Sequence, residues 1–242
     1  MKQSILRLQM VVLCAVLAAA IAWPVHAATL TFELDYEFSE ATPPEADPPW
    51  VRAVFDDQDV PGSVLLTLDT FNLTDDEFIT EWYFNLAPDL SPPDISLVKA
   101  LNREEQDITY WFNEYTLEGI EQGQDAFKAD GDGRYDILFE FRERDYLRFG
   151  AGKKAVFEIT GDGITASSFD YLSTPDGGNG PFPTAAKVQG IGGNDLLSGW
   201  IAPNDWTPPG PVNAVPEPGT VLLLGAGLLC LAAGRVRRRP MR

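Results

Sequence analysis

Between residues 29 and 38 the polar Thr29, Thr31, Glu33, Asp35 and Glu37 alternate with the apolar Leu30, Phe32, Leu34, Tyr36 and Phe38. A helix would scatter those apolar groups around its circumference, whereas an extended strand gathers them on one face. The stretch therefore predicts a half-buried strand. The same reading places further strands at 51–55, 63–68, 79–86, 95–100, 107–116, 135–141, 155–160, 167–172 and 185–191. Turn formers separate them, among them Pro43 and Pro44, Pro61 and Gly62, Pro92 and Pro93, the run Asp130 to Gly133, and the run Asp176 to Gly180. Helix-period patterns are scarce. About ten short strands at this spacing predict an all-β fold, an antiparallel β-sandwich of jelly-roll-like character.

The two ends differ from this body. Residues 1–27 join a basic start (Lys2, Arg7), an apolar centre from Met10 to Trp23 and the small-residue exit Val25, His26, Ala27. These are the parts of a secretory signal peptide, which predicts cleavage after Ala27. From Trp200 onward, tryptophan and proline crowd together, and residues 208–214 form a stiff Pro-rich spacer after a domain at 28–207. Residues 221–234 are apolar or small, and Arg235, Arg237, Arg238 and Arg239 follow, the order of a membrane segment with a cytoplasmic anchor. Fourteen helical residues would span only about 21 Å of a ~30 Å hydrocarbon core. The segment thus predicts a short transmembrane helix that holds the chain at the inner membrane transiently.

The stretch from 28 to 214 contains neither His nor Cys, since His26, Cys14 and Cys230 all lie outside it. Zinc sites of His and Cys, Ser-His-Asp triads, Cys-His pairs, c-type haem attachment and disulfides are all excluded there. Carboxylate chemistry and oxygen-ligand metal binding remain. This stretch holds 35 of the 36 acidic and 11 of the 18 basic residues, a net charge of −24. Such a field disfavours nucleic acid and anionic membranes as partners and attracts cations.

Val215, Pro216, Glu217 and Pro218, then the apolar run with its glycines and the arginine cluster, resemble the PEP-CTERM sorting signal of exported Gram-negative bacterial proteins. The resemblance covers residues 215–242 and is sharpened by the signal peptide at the other end. It implies processing by exosortase, a membrane-embedded cysteine-dependent transpeptidase. It also implies a place at the cell surface or in the extracellular matrix, with links to extracellular polysaccharide and biofilm. Segments 81–85, 157–163, 185–191 and 198–201 resemble the β-rich passenger domains of such proteins, a likeness that assigns no activity.

Two features of the body suggest ligands. Asp130, Asp132 and Asp136, spaced by glycines, resemble the calcium loop of integrin-type propeller repeats, where the backbone curls so that carboxylate oxygens meet around one Ca²⁺. Lys128 stands where that pattern expects another acid, and a tight β-turn with solvated acids is the alternative. The aromatic triplets 82–84 and 110–112 suggest a carbohydrate platform carried by Trp82 and Trp111. In a strand the middle ring of each triplet would face away from the outer two, leaving one face for a sugar or for a covering loop. No catalytic residue is singled out, because Glu140 with Glu143, or Glu104 with Glu105, read as surface faces. The expectation is a structural or adhesive binding protein and not an enzyme. It requires no cofactor; Ca²⁺ is a candidate ligand and extracellular polysaccharide a candidate partner. A carbohydrate-binding module and a carboxylate-based glycan-active enzyme are the alternatives.

Overall fold

The alternating stretch is extended in the computed structural model, which describes residues 28–204 except 59, 75, 131–132, 145–146 and 194–196. It is divided between two sheets. β1 (Thr29–Leu34) pairs with β3 (Val51–Asp56) and sends Phe32 and Leu34 into the core. At Asp35 the chain crosses over, and β2 (Tyr36–Glu37) pairs with the final strand, β13 (Ser198–Ala202). The crossing is held from both sides: the Asp35 N–H donates to the Ala202 carbonyl at 3.2 Å, and the Asn204 N–H donates to Asp35 Oδ1 at 2.8 Å.

The first sheet is ordered β1-β3-β4-β10-β6, with β4 at Ser63–Asp69, β6 at Asp94–Leu101 and β10 at Lys154–Thr160. The second is ordered β11-β8-β5-β12-β13-β2, with β5 at Phe78–Phe84, β8 at Gly133–Phe141, β11 at Thr174–Pro175 and β12 at Thr184–Gln189. β7 (Leu117–Ala129) runs beside β8, and β9 (Phe149–Gly150) beside β5. All these pairings are antiparallel.

The sheets share one apolar core, as an antiparallel sandwich requires. Phe55 of β3 meets Phe84 of β5 edge to face at 5.2 Å, and Phe157 of β10 meets Phe139 of β8 at 4.9 Å. A smaller cluster covers the other face of the second sheet, where Tyr83, Tyr135, Leu138 and Ala185 pack with Phe38 and Phe182. Being buried on both faces explains why β5 reads as a nearly continuous apolar run.

Three expectations change. Residues 107–116 are not a strand but a helical turn (Thr109–Trp111) continuing into a π-helix (Phe112–Thr116). Residues 167–172 give way to a 3₁₀ turn at Ala166–Phe169, closed by a reciprocal capping box between Thr165 and Ser168. β7, thirteen residues long, was not expected. Among the described residues no helix is long and apolar enough to cross a membrane. The signal peptide (1–27), the spacer (208–214) and the sorting segment (215–242) lie outside the described residues.

Candidate functional site

The helical turn after β6 builds the most exposed aromatic surface. Asp107 Oδ1 accepts from the Thr109 N–H at 2.8 Å and from the Thr109 hydroxyl at 2.7 Å. Those bonds, the hydroxyl's first, hold the exposed Asp107 carboxyl below its usual range. Thr109 Oγ1 in turn accepts the Ala100 N–H at 2.9 Å, tying the turn to β6. Side-chain capping of this kind competes with extended backbone and starts the turn.

Successive side chains in a helical turn diverge by about 100°, so the triplet Tyr110, Trp111, Phe112 splays. Phe112 enters the core edge to face with Phe149 at 5.2 Å. Tyr110 and Trp111 stay outside, 67% and 61% exposed. One helical turn on, Tyr115 stacks on Trp111 with centroids 5.2 Å apart and planes 27° from parallel. Tyr110 meets Trp111 edge on at 5.5 Å.

Beside these rings lies a cavity of about 460 Å³, walled by Trp111, Tyr115, Phe112, Ile108 and Leu147 on its apolar side and by Asn102, Thr116 and Lys153 on its polar side. A more open cleft of about 320 Å³ shares Asn102 and Lys153 and continues past Arg103 and Glu104. The Lys153 ammonium donates to the Arg148 carbonyl, and burial pushes its pKa down. Gly152, at φ +71°, lets Arg103 lie across the turn, because a Cβ there would come within 2.9 Å of its side chain. The stacked rings present a flat apolar face to this cavity, and the Asn102 amide on its polar side is held by Gln106, accepting its N–H at 2.8 Å and donating to its Oε1 at 3.2 Å.

Trp82 does not belong to this surface. Its ring is wholly buried against Phe84, and its Nε1–H donates to Thr184 Oγ1 at 3.0 Å, so it cannot stack on a sugar. Tyr83, the opposite-facing member of that triplet, is covered by the smaller cluster. Strand alternation holds for this triplet, but both of its faces are interior.

The candidate calcium residues have separate neighbours. Asp130 occupies the turn after β7 at φ +40°; burial first, and then Glu37, raise its pKa. Asp136 accepts the Leu86 N–H at 2.9 Å with Oδ2 and the Asp125 N–H at 2.8 Å with Oδ1. Asp132 lies outside the described residues. Lys128, the departure from the calcium pattern, pairs with Asp176 at 3.1 Å, and Arg134 joins the same carboxylate at 2.9 Å. Lys128 first, and then Arg134, lower the Asp176 pKa. Among the described residues no group of three or more His, Cys, Asp or Glu side chains is placed to hold a metal ion.

Glu81 and Glu140 stand opposite each other in register, but neighbouring groups occupy Glu81. The Tyr83 hydroxyl donates to Glu81, and Lys187 approaches it at 3.5 Å. Burial, and then Glu81, raise the Tyr83 pKa. Glu140 is raised too, by burial first and then by Glu121, Glu118 and Glu81.

Tyr110 was read only as a member of its triplet, and Tyr115, Asn102 and Lys153 were not singled out in the sequence. For Tyr115 a signal existed, four residues beyond Trp111, but it becomes visible only once the segment is read as helical.

The described body is thus an all-β, two-sheet protein whose most exposed aromatic side chains form a ledge beside a cavity with one apolar and one polar wall. Beyond it, residues 214–239 match the PEP-CTERM protein-sorting motif. That motif implies exosortase-dependent export across the inner membrane and association with the cell surface. The matched stretch contains Val215, Pro216, Glu217, Pro218 and the arginines 235 and 237–239. No curated protein and no solved structure matches the chain.

Proposed function

We propose that the exported body is a non-catalytic structural or adhesive protein of the cell surface and extracellular matrix. It holds extracellular polysaccharide of the biofilm on the ledge formed by Trp111, Tyr110 and Tyr115. One observation carries this reading: Trp111, 61% exposed and stacked on Tyr115, lines a cavity of about 460 Å³ together with that ring, and the likewise exposed Tyr110 meets Trp111 edge on. Large rings left in water at a concave site are the usual anchors of a binding surface.

The test incubates residues 28–207 with a panel of matrix polysaccharides, measuring binding by calorimetry and products by mass spectrometry. Saturable binding without turnover is expected, with Trp111→Ala weakening Kd by about tenfold or more, equivalent to ~1.4 kcal/mol. Turnover would instead establish the glycan-active alternative. Binding that is indifferent to Trp111→Ala would move the site elsewhere.

A further inference from the structure

Ala28 stands exposed just before β1, and a reciprocal pair of hydrogen bonds ties it to the loop after β3. Its N–H donates to Asp57 Oδ1 at 2.7 Å, and its carbonyl accepts the Asp57 N–H at 3.2 Å. The second bond continues the β1–β3 ladder. The first does not, because a carboxylate takes a backbone donor on an edge strand where water would serve equally well. Immediately upstream is the small-residue exit Val25, His26, Ala27.

We infer that removal of residues 1–27 converts this contact into an ion pair, with Asp57 as the receptor for the new amino terminus. Water adds to the Ala27 carbonyl carbon and the C–N bond to Ala28 breaks. The carboxylate stays on the departing peptide, and the nitrogen leaves with Ala28 as an amine that takes up a proton. One amide N–H then becomes an ammonium with three donors, already placed against a carboxylate oxygen, and the hydrogen bond becomes charge-assisted. The inference rests on cleavage after Ala27 and adds which residue holds the terminus so produced.

Of the other charged groups on β1 and β3, the one cation, Arg52, faces Glu33 in register at the end of the pairing away from Ala28 and is taken up by Glu33 at 3.9 Å and Asp69 at 3.4 Å. Asp56 of β3 faces Thr29 in register, and its carboxylate accepts from the Gln58 N–H at 3.0 Å and the Gln58 amide at 2.6 Å. Asp170 follows the 3₁₀ turn that packs on β1, and β13, also against β1, has no titratable side chain. A cation at Ala28 is therefore favoured by Asp57 and, one register position away, by Asp56, with solvent screening keeping the effect moderate. The ordinary α-amino pKa is about 7.7–8.0, and the pair should raise it by roughly half a unit to one unit. Because the folded pKa lies above the unfolded one, the stabilisation is complete below about pH 7.7 and is lost as pH rises through the raised value.

The experiment uses mature protein purified from the exported fraction of cells. Intact mass and N-terminal sequencing identify the first residue. After reductive ¹³C-dimethylation, NMR titration gives the α-amine pKa in the wild type and in Asp57→Asn. The expected results are Ala28 as first residue, a pKa higher in the wild type by roughly half a unit to one unit, and a Tm advantage over Asp57→Asn that disappears at about pH 10. Acetylating the wild-type terminus removes the charge without touching Asp57, and should lower Tm at pH 7 but not at about pH 10. A different first residue would overturn the cleavage reading. Ala28 as first residue with equal pKa values in both proteins, or no pH-dependent effect of acetylation, would overturn the ion pair.

Discussion

Replacing Asp136 with Asn separates two accounts of the Asp-rich turn. Opposite Asp136, the register of β7 on β8 slips between Gln122 and Phe127, leaving a bulge in which Asp125 adopts φ +50°. The bulge has a backbone N–H that the ladder cannot satisfy, and so does the chain leaving β5 at Leu86; Asp136 accepts both, at 2.8 and 2.9 Å. Asn offers one carbonyl oxygen, and its NH₂ group would face the second N–H donor against donor. One charge-assisted bond is worth about 1.5–3 kcal/mol, and the orphaned N–H adds to the loss, so Asp136→Asn should cost about 2–3 kcal/mol. For a body of this size that is a fall in Tm of roughly 5–10 °C. Urea unfolding in EDTA and again in millimolar Ca²⁺ is the assay, and the same deficit is expected in both. A deficit confined to Ca²⁺, with wild-type stability in EDTA, would make Asp136 a metal ligand and refute the backbone account.

Thr184→Val keeps the shape of the side chain but strips the acceptor from Trp82 Nε1–H and the donor to the Tyr83 carbonyl, 3.0 and 2.7 Å away. Denaturant melts should show a loss of about 2 kcal/mol, whereas Thr184→Ser should lose about half of that. Phe112→Ala should cost about 3–5 kcal/mol because the ring is buried between Phe141 and Phe149, while Trp111→Ala should leave Tm within about 1 °C. Thermal melts of the two variants side by side test this. Glu140, raised by burial and by its acidic neighbours, binds its proton more tightly folded than unfolded. Its contribution to stability is therefore full below the ordinary carboxyl pKa and is lost as pH rises through the raised one. Glu140→Gln should accordingly gain about 0.3 kcal/mol at pH 7, a gain that vanishes at about pH 4 in a pH series of urea melts.

Alternation made most of the sandwich legible because β3, β4 and β10 bury one face of a pleat. It could not reveal the crossing at Asp35, since a period of two continues unbroken when the chain changes sheets and Phe38 finds the smaller cluster instead of the main core. β7 escaped notice because an edge strand with a bulge is rich in Glu, Gln and Gly, and its partner supplies its order. The 107–116 segment misled for the opposite reason. Ile108, Thr109, Tyr110, Trp111 and Phe112 favour strands, but one carboxylate at Asp107 captures Thr109 and commits the backbone to a turn. That local hydrogen bond decides whether Trp111 is exposed, so the ledge was legible only in part: Trp111 belongs to it and Trp82 does not.

The lock around Asp35 also bears on how the body carries load. β13 lies between β12 and β2, joined to the first through four residue pairs and to the second through two, and the chain leaves at Asn204 under a hydrogen bond to Asp35. A pull on that exit along the strand strains both ladders together, in shear, and reaches β1 through the crossing. In antiparallel ladders the hydrogen bonds lie perpendicular to the strands, so a pull along β13 loads the bonds of its four and two residue pairs side by side and not in sequence. The end of the body that precedes the sorting motif is thus also its mechanical clamp.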